Sequence, residues 1–440
     1  MTRLNRLAAV AILSIAACHT LNAQVPCPIP PFGTVVVDPA FVLDGQGRNV
    51  DSIELWEAPR ADSTLLFVTG KDNSLVEVWR YPFDGNELPP LTHPTFGSAK
   101  VNGLVVDQER DRLYVATAEP SPGVSVFTLP DLTFEMHFLK PGAGDMGVEP
   151  NLTLLKLPSG ERRIYLSSED TVYIHDALNG AWVEQFAPEK GLETMMADSV
   201  HQCLYIPDEK DHTGVYVYHP DGTPFLRNGT NRFGQGVFDL DAEGIWLYAC
   251  RDGSGGDTGA GMIIVSDQID PRSEFEVFDR ESWAHLGTIE LEGVNFTDGI
   301  RSFQEPLPGY PMGLFLAIDD DRTTAGVGWD VIFGEMNLVR IGTPPAVPAG
   351  YVVSPPHPNP FNPSTTIVVD LPRSAGVVLE ITDVSGRRVR RIVAGELAAG
   401  RHRLRWAGRT DEGYPAAGGV YVYRVTAGPR VATGRMVLVR

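Results

Sequence analysis

Cysteine, basic residues and long apolar runs are all scarce in this chain. Only 4 of its 440 residues are cysteines. Setting aside an N-terminal leader leaves Cys27, Cys203 and Cys250, an odd number for an oxidising compartment. Cys203 precedes Leu204-Tyr205-Ile206, whereas Cys250 follows Leu247-Tyr248-Ala249. If those strands are equivalent, the two sulfurs lie about 13 Å apart at ~3.3 Å per residue, and a disulfide needs Cα atoms within about 7 Å. The expectation is therefore small buried hydrophobes and no Cys203–Cys250 bridge. Lys and Arg total 36 against 56 Asp and Glu, a formal charge of −20, which excludes an electrostatic nucleic-acid binder. Beyond the first residues no apolar run is long enough to span a bilayer.

Several catalytic signatures are missing too. There is no Gly-x-Ser-x-Gly elbow for a nucleophilic serine. His201, His212 and His219 do not fall at His-Glu-x-x-His spacing and read as turn residues. The glycine-rich stretch from Gly253 to Gly261 lacks the Lys-Ser/Thr of a phosphate loop and reads as a long hairpin.

What is present is punctuation. The 45 glycines and 35 prolines favour many turns and short strands over long helices. Arg3 and Arg6 precede the apolar run Leu7 to Ala17, and Leu21-Asn22-Ala23 offers a cut, so residues 1–23 read as a signal peptide. Ile15-Ala16-Ala17-Cys18 resembles a bacterial lipobox, which would instead make Cys18 a lipidated N-terminus. Both routes lead out of the cytoplasm, to a secreted or outer-membrane-surface location through the periplasm. From Ser354 to Arg440 there are 13 arginines, no lysines and 6 acids, whereas the rest carries a net −27. A Pro-rich linker at 342–353 separates an acidic body, residues 34–341, from a basic tail, residues 354–440.

The body repeats itself. A triplet recurs as Leu66-Phe67-Val68, Leu113-Tyr114-Val115, Ile164-Tyr165-Leu166, Leu204-Tyr205-Ile206, Ile263-Ile264-Val265 and Leu314-Phe315-Leu316, at spacings of 40 to 59 residues. After each comes a second alternating strand, from Val76-Glu-Val-Trp79 in the first copy to Trp329-Asp-Val-Ile332 in the sixth. Alternation with a period near 50 predicts a six-bladed β-propeller, whose inner strands deliver their end residues to a central channel. Trp56, Trp79 and Trp246 are expected in its core.

Acidic segments flank these strands. Asp51, Glu193, Asp241, Glu243 and Asp298 precede triplets, and Asp208, Glu209, Asp319, Asp320 and Asp321 follow them. Carboxylates from several blades at one mouth cannot all ionise without positive charge between them. A hard divalent cation, calcium above all, suits such oxygen ligands.

These motifs resemble a known family. Asn49-Val-Asp-Ser-Ile-Glu-Leu-Trp56, Val68-Thr-Gly-Lys71, Glu193-Thr-Met-Met-Ala-Asp198, Leu204-Tyr-Ile-Pro-Asp-Glu209, Asp241-Ala-Glu-Gly244, Val265-Ser-Asp-Gln268 and Thr297-Asp-Gly-Ile300 are ordered as in β-propeller phytases. The resemblance spans about residues 45–335 and implies a phosphomonoester hydrolase acting on phytate or a simpler ester through several calcium ions. It implies that Glu193, Glu209, Asp241, Glu243, Gln268 and Asp298 act as metal ligands, to which the acidic positions Asp51 and Asp208 are added. Lys71 resembles a phosphate-gripping cation. Glu243 and Asp241, two apart in a strand, would share one face and carry the catalytic work.

The departures are equally specific. The family's paired aspartates and proline are replaced by Asp51-Ser52-Ile53. Where the family carries an arginine, blade two ends Ala116-Thr-Ala-Glu119. Blade three carries Glu149-Pro-Asn-Leu-Thr153 and Ser167-Ser-Glu-Asp-Thr171 where the family has a tyrosine ligand and basic residues. A non-catalytic, calcium-stabilised propeller binding protein or glycan is the alternative these changes favour.

The tail, with Asn359-Pro-Phe-Asn-Pro363, Leu379-Glu-Ile-Thr-Asp-Val-Ser-Gly-Arg387 and Gly419-Val-Tyr-Val-Tyr-Arg424, predicts a small β-sandwich. It resembles the C-terminal sorting domain of type IX secretion cargo, an immunoglobulin-like flagellar hook-capping module. The resemblance implies a partner in the type IX machinery; separately, the whole chain is expected to be a monomer.

Overall fold

The computed structural model describes residues 26–338 and 351–439, apart from 59, 84–86, 143–148, 169, 190–191, 193, 209–213, 253–254, 270–271, 354, 357–358, 362–364, 372, 374, 398–399, 407 and 412–413. The chain divides into two compact units, Gln24–Val339 and Arg340–Arg440. No helix among the described residues is long and apolar enough to cross a membrane.

The first unit is a six-bladed β-propeller whose blades are antiparallel meanders. Blade one runs through Val50–Trp56, Leu65–Gly70, Leu75–Arg80 and Glu87–Leu91. Blade two comprises Val101–Asp107, Arg112–Thr117, Gly123–Thr128 and Thr133–Phe138. Blade three comprises Leu152–Lys156, Arg162–Ser167, Val172–Asp176 and Trp182–Phe186. Blade four comprises Met196–Asp198, Cys203–Pro207, Val215–Tyr218 and Arg232–Phe233. Blade five comprises Ala242–Arg251, Asp257–Ile269, Arg272–Asp279 and His285–Leu291, its first hairpin containing the glycine-rich stretch. Blade six has Ile300–Phe303, Leu314–Asp319 and Thr323–Gly328.

The recurring triplet is the second strand of each blade, and its alternation glues the blades together. Leu66 and Val68 pack against blade six while Phe67 packs against blade two. Leu113 and Val115 face blade one while Tyr114 faces blade three, and Tyr165 and Tyr205 each likewise face the blade that follows. Blade six departs: Leu314 and Leu316 pack against blade one, and Phe315 meets Phe275 of blade five with ring centroids 5.1 Å apart. The sixth triplet is therefore one residue out of register, a slip that reverses the face of every side chain.

Residues ahead of blade one close the ring. Phe41–Leu43 pairs antiparallel with Thr323–Gly328 and supplies the fourth strand of blade six. Thr34–Val37 adds in parallel outside His285–Leu291 of blade five.

Three expectations need correction. Trp329-Asp-Val-Ile332 is not a strand, because Trp329–Glu335 is an α-helix burying Trp329, Ile332 and Phe333. Those residues lie at i, i+3 and i+4, a helical stripe that a four-residue window mistakes for alternation. Cys250 is not a free buried thiol but is bonded to Cys27, with Cα atoms 6.2 Å apart. The strands carrying Cys203 and Cys250 are not equivalent, being the second of blade four and the first of blade five; Cys203 is a buried thiol pushed up to about 12 by desolvation. Trp56 and Trp79 are buried in the core, whereas Trp246 is half-buried beneath the Arg301 guanidinium, 3.7 Å from its ring.

The second unit is a sandwich of a three-stranded sheet, Val352–Val353, Thr365–Leu371 and Gly400–Trp406, and a four-stranded sheet, Arg388–Leu397, Ala375–Asp383, Gly419–Ala427 and Arg430–Leu438. Its core joins Ile367, Val369 and Trp406 to Leu379, Ile381 and Val425. Val352 and Val353 pair with Asp370 and Val369, so the sandwich begins inside the stretch expected as linker.

Candidate functional site

Local backbone geometry brings acids from three blades together. The first strands of blades one and five break register between Val50 and Ile53 and between Ala242 and Ile245. Such bulges free backbone N–H groups and re-aim side chains. A hydroxyl on the neighbouring strand accepts each freed N–H: Thr69 Oγ1 from Ser52 at 2.9 Å, and Ser266 Oγ from Gly244 at 2.7 Å. Ser167 Oγ does the same for Asn151 in blade three, at 2.7 Å. Gly299 abuts the Asp51 carbonyl and Gly244 abuts the Asp298 carbonyl so closely that a Cβ at either would overlap it. Backbone contact between successive first strands thus sets Asp51, Glu243 and Asp298 around one mouth.

Lys71 stands among them. Its Nζ lies 3.3 Å from Asp51 Oδ1, 3.4 Å from Glu149 Oε1 and 3.6 Å from Asp298 Oδ2, and the residue is only 5% exposed. Burial works against its charge, but the Asp51, Asp298 and Glu149 carboxylates outweigh that, holding the ammonium well above its ordinary range. Glu149 also accepts from Lys100 Nζ at 3.3 Å. Against the cost of burial, Lys71 and Lys100 hold the Glu149 carboxyl below the usual carboxylate range.

Gln268 ties the other side. Its Nε2 donates to Glu243 Oε2 and, at 2.5 Å, to Asp298 Oδ1, while its backbone N–H donates to the Asp241 carbonyl at 3.1 Å. Thr194 Oγ1 donates to the carbonyl of Glu243. The Asp298 carboxyl is pushed up to about 7, first by desolvation and then by the nearby Asp51 charge, with Lys71 and the Glu243 hydrogen bond opposing. Asp208 is fully buried in blade four, its N–H donating to the Gly214 carbonyl at 3.0 Å. Glu193 and Glu209 lie outside the described residues.

Three residues further along the same strands, Arg301 Nη2 of blade six reaches Glu54 Oε2 of blade one at 3.1 Å and covers Trp246 of blade five. Glu54 is fully buried, and desolvation raises its carboxyl to about 7 despite Arg301.

Asp51, Lys71, Glu243, Gln268 and Asp298 therefore form one connected network, and Asp241 joins through its backbone. Sequence reasoning read Glu149 only as a sign of an acidic blade three and overlooked Lys100. Their signal is positional: Lys100 precedes Val101 as Asn49 precedes Val50, each at the threshold of a first strand.

The donor set of carboxylates and one amide suits a hard cation. Among the described residues, however, no three His, Cys, Asp or Glu side chains form a group able to hold a metal ion; the compensating charge there is Lys71.

A family model for phytase matches residues 173–340, and one for the FlgD Ig-like domain matches residues 359–429. The outer two strands of blade three and blades four to six thus carry a match to phytase-like hydrolases at family level. The matched part contains Glu193, Asp208, Glu209, Asp241, Glu243, Gln268 and Asp298; Asp51 and Lys71 lie ahead of it. No curated protein sequence matches the chain. Among solved structures, BBS1N in complex with ARL6DN, soaked with mercury, is 12% identical, with 62% of this chain and 75% of that chain covered and a TM-score of 0.38. The Neurospora crassa Pan2 WD40 domain is 9% identical, with 62% and 73% covered and a TM-score of 0.40.

Proposed function

We propose that the propeller is a calcium-dependent phosphomonoester hydrolase acting on phytate or a simpler phosphate ester. The observation that carries this reading is the joining of Asp51, Glu243 and Asp298 from three blades through Lys71 and Gln268, in a chain with a phytase match over 173–340. Calcium, held by Glu193, Asp208, Glu209, Asp241, Glu243, Gln268 and Asp298 with Asp51 at the edge, would neutralise phosphate oxygens and acidify a bound water. Glu243 and Asp241 would orient the attacking water by accepting hydrogen bonds from it, one of them taking a single proton that is returned to the departing alcohol oxygen. Lys71 sets a fixed positive charge against a phosphate oxygen, and Lys100, anchored on the same Glu149, adds a second at the more exposed edge. The protein is exported through the periplasm as a monomer, and the sandwich is its address for the type IX machinery, for release or surface attachment.

One observation favours the second reading, a non-catalytic propeller binding protein or glycan: Lys71 is buried and already engaged by three carboxylates. Phosphate release from phytate and from a simple aryl phosphate, with calcium and then with a chelator, separates the two. Calcium-dependent release supports the hydrolase; none on either ester, with calcium bound, supports the binding propeller.

A further inference from the structure

A cleft of about 250 Å³ opens between the outer strands of blades four and five, lined by Arg227, Arg232, Phe233, Ser282, Trp283 and His285 among others. It is built on the outer edges of these blades, whereas Glu243 lies in the first strand of blade five and Asp298 just ahead of the first strand of blade six. Although the chain outside the tail carries a net charge of −27, no described residue lining the cleft is acidic. Arg227 donates from Nη1 to the carbonyl of Arg280 at 3.2 Å and lies over the Trp283 ring at 4.3 Å. Arg232 donates from Nη1 to the Tyr216 hydroxyl at 3.3 Å. Among the described residues, neither arginine pairs with a carboxylate; both keep neutral partners. The acids on the adjoining strand already have partners at the rim of the cleft. Asp279 accepts from Ser282 N and Oγ, at 2.7 and 2.6 Å, and Glu276 meets His285 Nε2.

The aromatic wall is held with care. Trp283 sits at φ +65°, a left-handed conformation that is an outlier for a bulky side chain and persists only where surrounding structure imposes it. Phe233 packs beside it with centroids 5.4 Å apart. Two guanidinium groups with spare donors match the fork geometry of carboxylate and phosphate. The cleft is smaller than the ~300–1,000 Å³ typical of drug-sized ligands, so its occupant is small.

We propose that this cleft binds a small organic oxyanion, its charged head held by Arg227 and Arg232 and its flat apolar body lying along Phe233 and Trp283. The site is separate from the acidic network and does not depend on its assignment. Isothermal titration of the full chain with phenylphosphonate, benzoate, inorganic phosphate and benzyl alcohol tests it. Phenylphosphonate or benzoate should bind, and whichever binds more tightly identifies the preferred head group. Arg227→Gln/Arg232→Gln should weaken that binding about tenfold or more, while Lys71→Ala leaves it within about twofold. If melts show the double variant unfolded, Arg232→Gln alone should still weaken binding several-fold. Absence of binding by both organic anions, unchanged affinity in a folded arginine variant, or loss of affinity in a Lys71→Ala chain that melts show to be folded overturns the proposal. So does inorganic phosphate or benzyl alcohol binding as tightly as the organic anions.

Discussion

No side chain fits at Gly299, because its Cβ would overlap the carbonyl oxygen of Asp51. That contact seats blade six against blade one where Asp298 and Asp51 meet Lys71. Gly299→Ala should therefore push the two blades apart, at the ~1–3 kcal/mol typical of overpacking. Urea unfolding checks the stability. Since the acids move with the backbone, any calcium affinity measured for the native chain should fall in the same variant.

Lys71→Ala should destabilise the propeller, because Asp51, Glu149 and Asp298 lose their shared counter-charge; breaking such a buried pair from one side costs about 3–5 kcal/mol. Calcium at 100–1,000 times its dissociation constant should stabilise the native chain by about 3–4 kcal/mol, and should stabilise Lys71→Ala at least as much. Thermal melts with calcium and with chelator measure both. An unchanged midpoint in the native chain argues against any calcium cluster.

Glu243→Gln and Lys71→Ala divide the chemistry of the proposed hydrolase. The first should weaken calcium binding and abolish phosphate release; the second should mainly raise KM. A kinetically silent Lys71→Ala in an active enzyme removes Lys71 from substrate binding.

Buried Glu54 makes stability fall as pH rises. Desolvation lifts its carboxyl from an ordinary 4.5 to about 7, so the folded state binds the proton more tightly than the unfolded chain. Its contribution is fully present below about 4.5, is lost progressively up to about 7, and is gone above that. Glu54→Gln should flatten this part of the profile, seen as a smaller difference between unfolding free energies measured at acidic and neutral pH.

Cys250→Ser should lower propeller stability by about 2–5 kcal/mol, because Cys27–Cys250 fastens the segment that completes blades five and six. Removal of residues 351–440 should leave the propeller's melting curve in place, since the sandwich carries a core of its own. Fractionation of the truncated protein tests the proposed address: accumulation in the periplasm supports it, and normal export refutes it.

The second strands were legible because each carries three apolar residues with both faces buried between blades, a dense and repeated demand on composition. Register within the sixth was not, since Leu314-Phe315-Leu316 satisfies either facing until Phe275 and blade one are in place. The strands Thr34–Val37 and Phe41–Leu43 escaped notice for a related reason: each is only an outermost strand, too short to repeat, and its partner lies far along the chain. At the mouth, acidic segments announced themselves by type and order. The pairing of Lys71 with Glu149 did not, because the two belong to different blades and only the curvature of the ring brings them within reach.

The strand Phe41–Leu43 also sets an order of events. It belongs to blade six, yet it is synthesised before blade one and must wait for Thr323–Gly328 before it can pair. Long-range pairings of this kind are slow because loop closure comes before any contact rewards it. A chain emerging from a ribosome therefore carries this strand unmated, open to pairing with a neighbour's edge, until almost the whole propeller has been made.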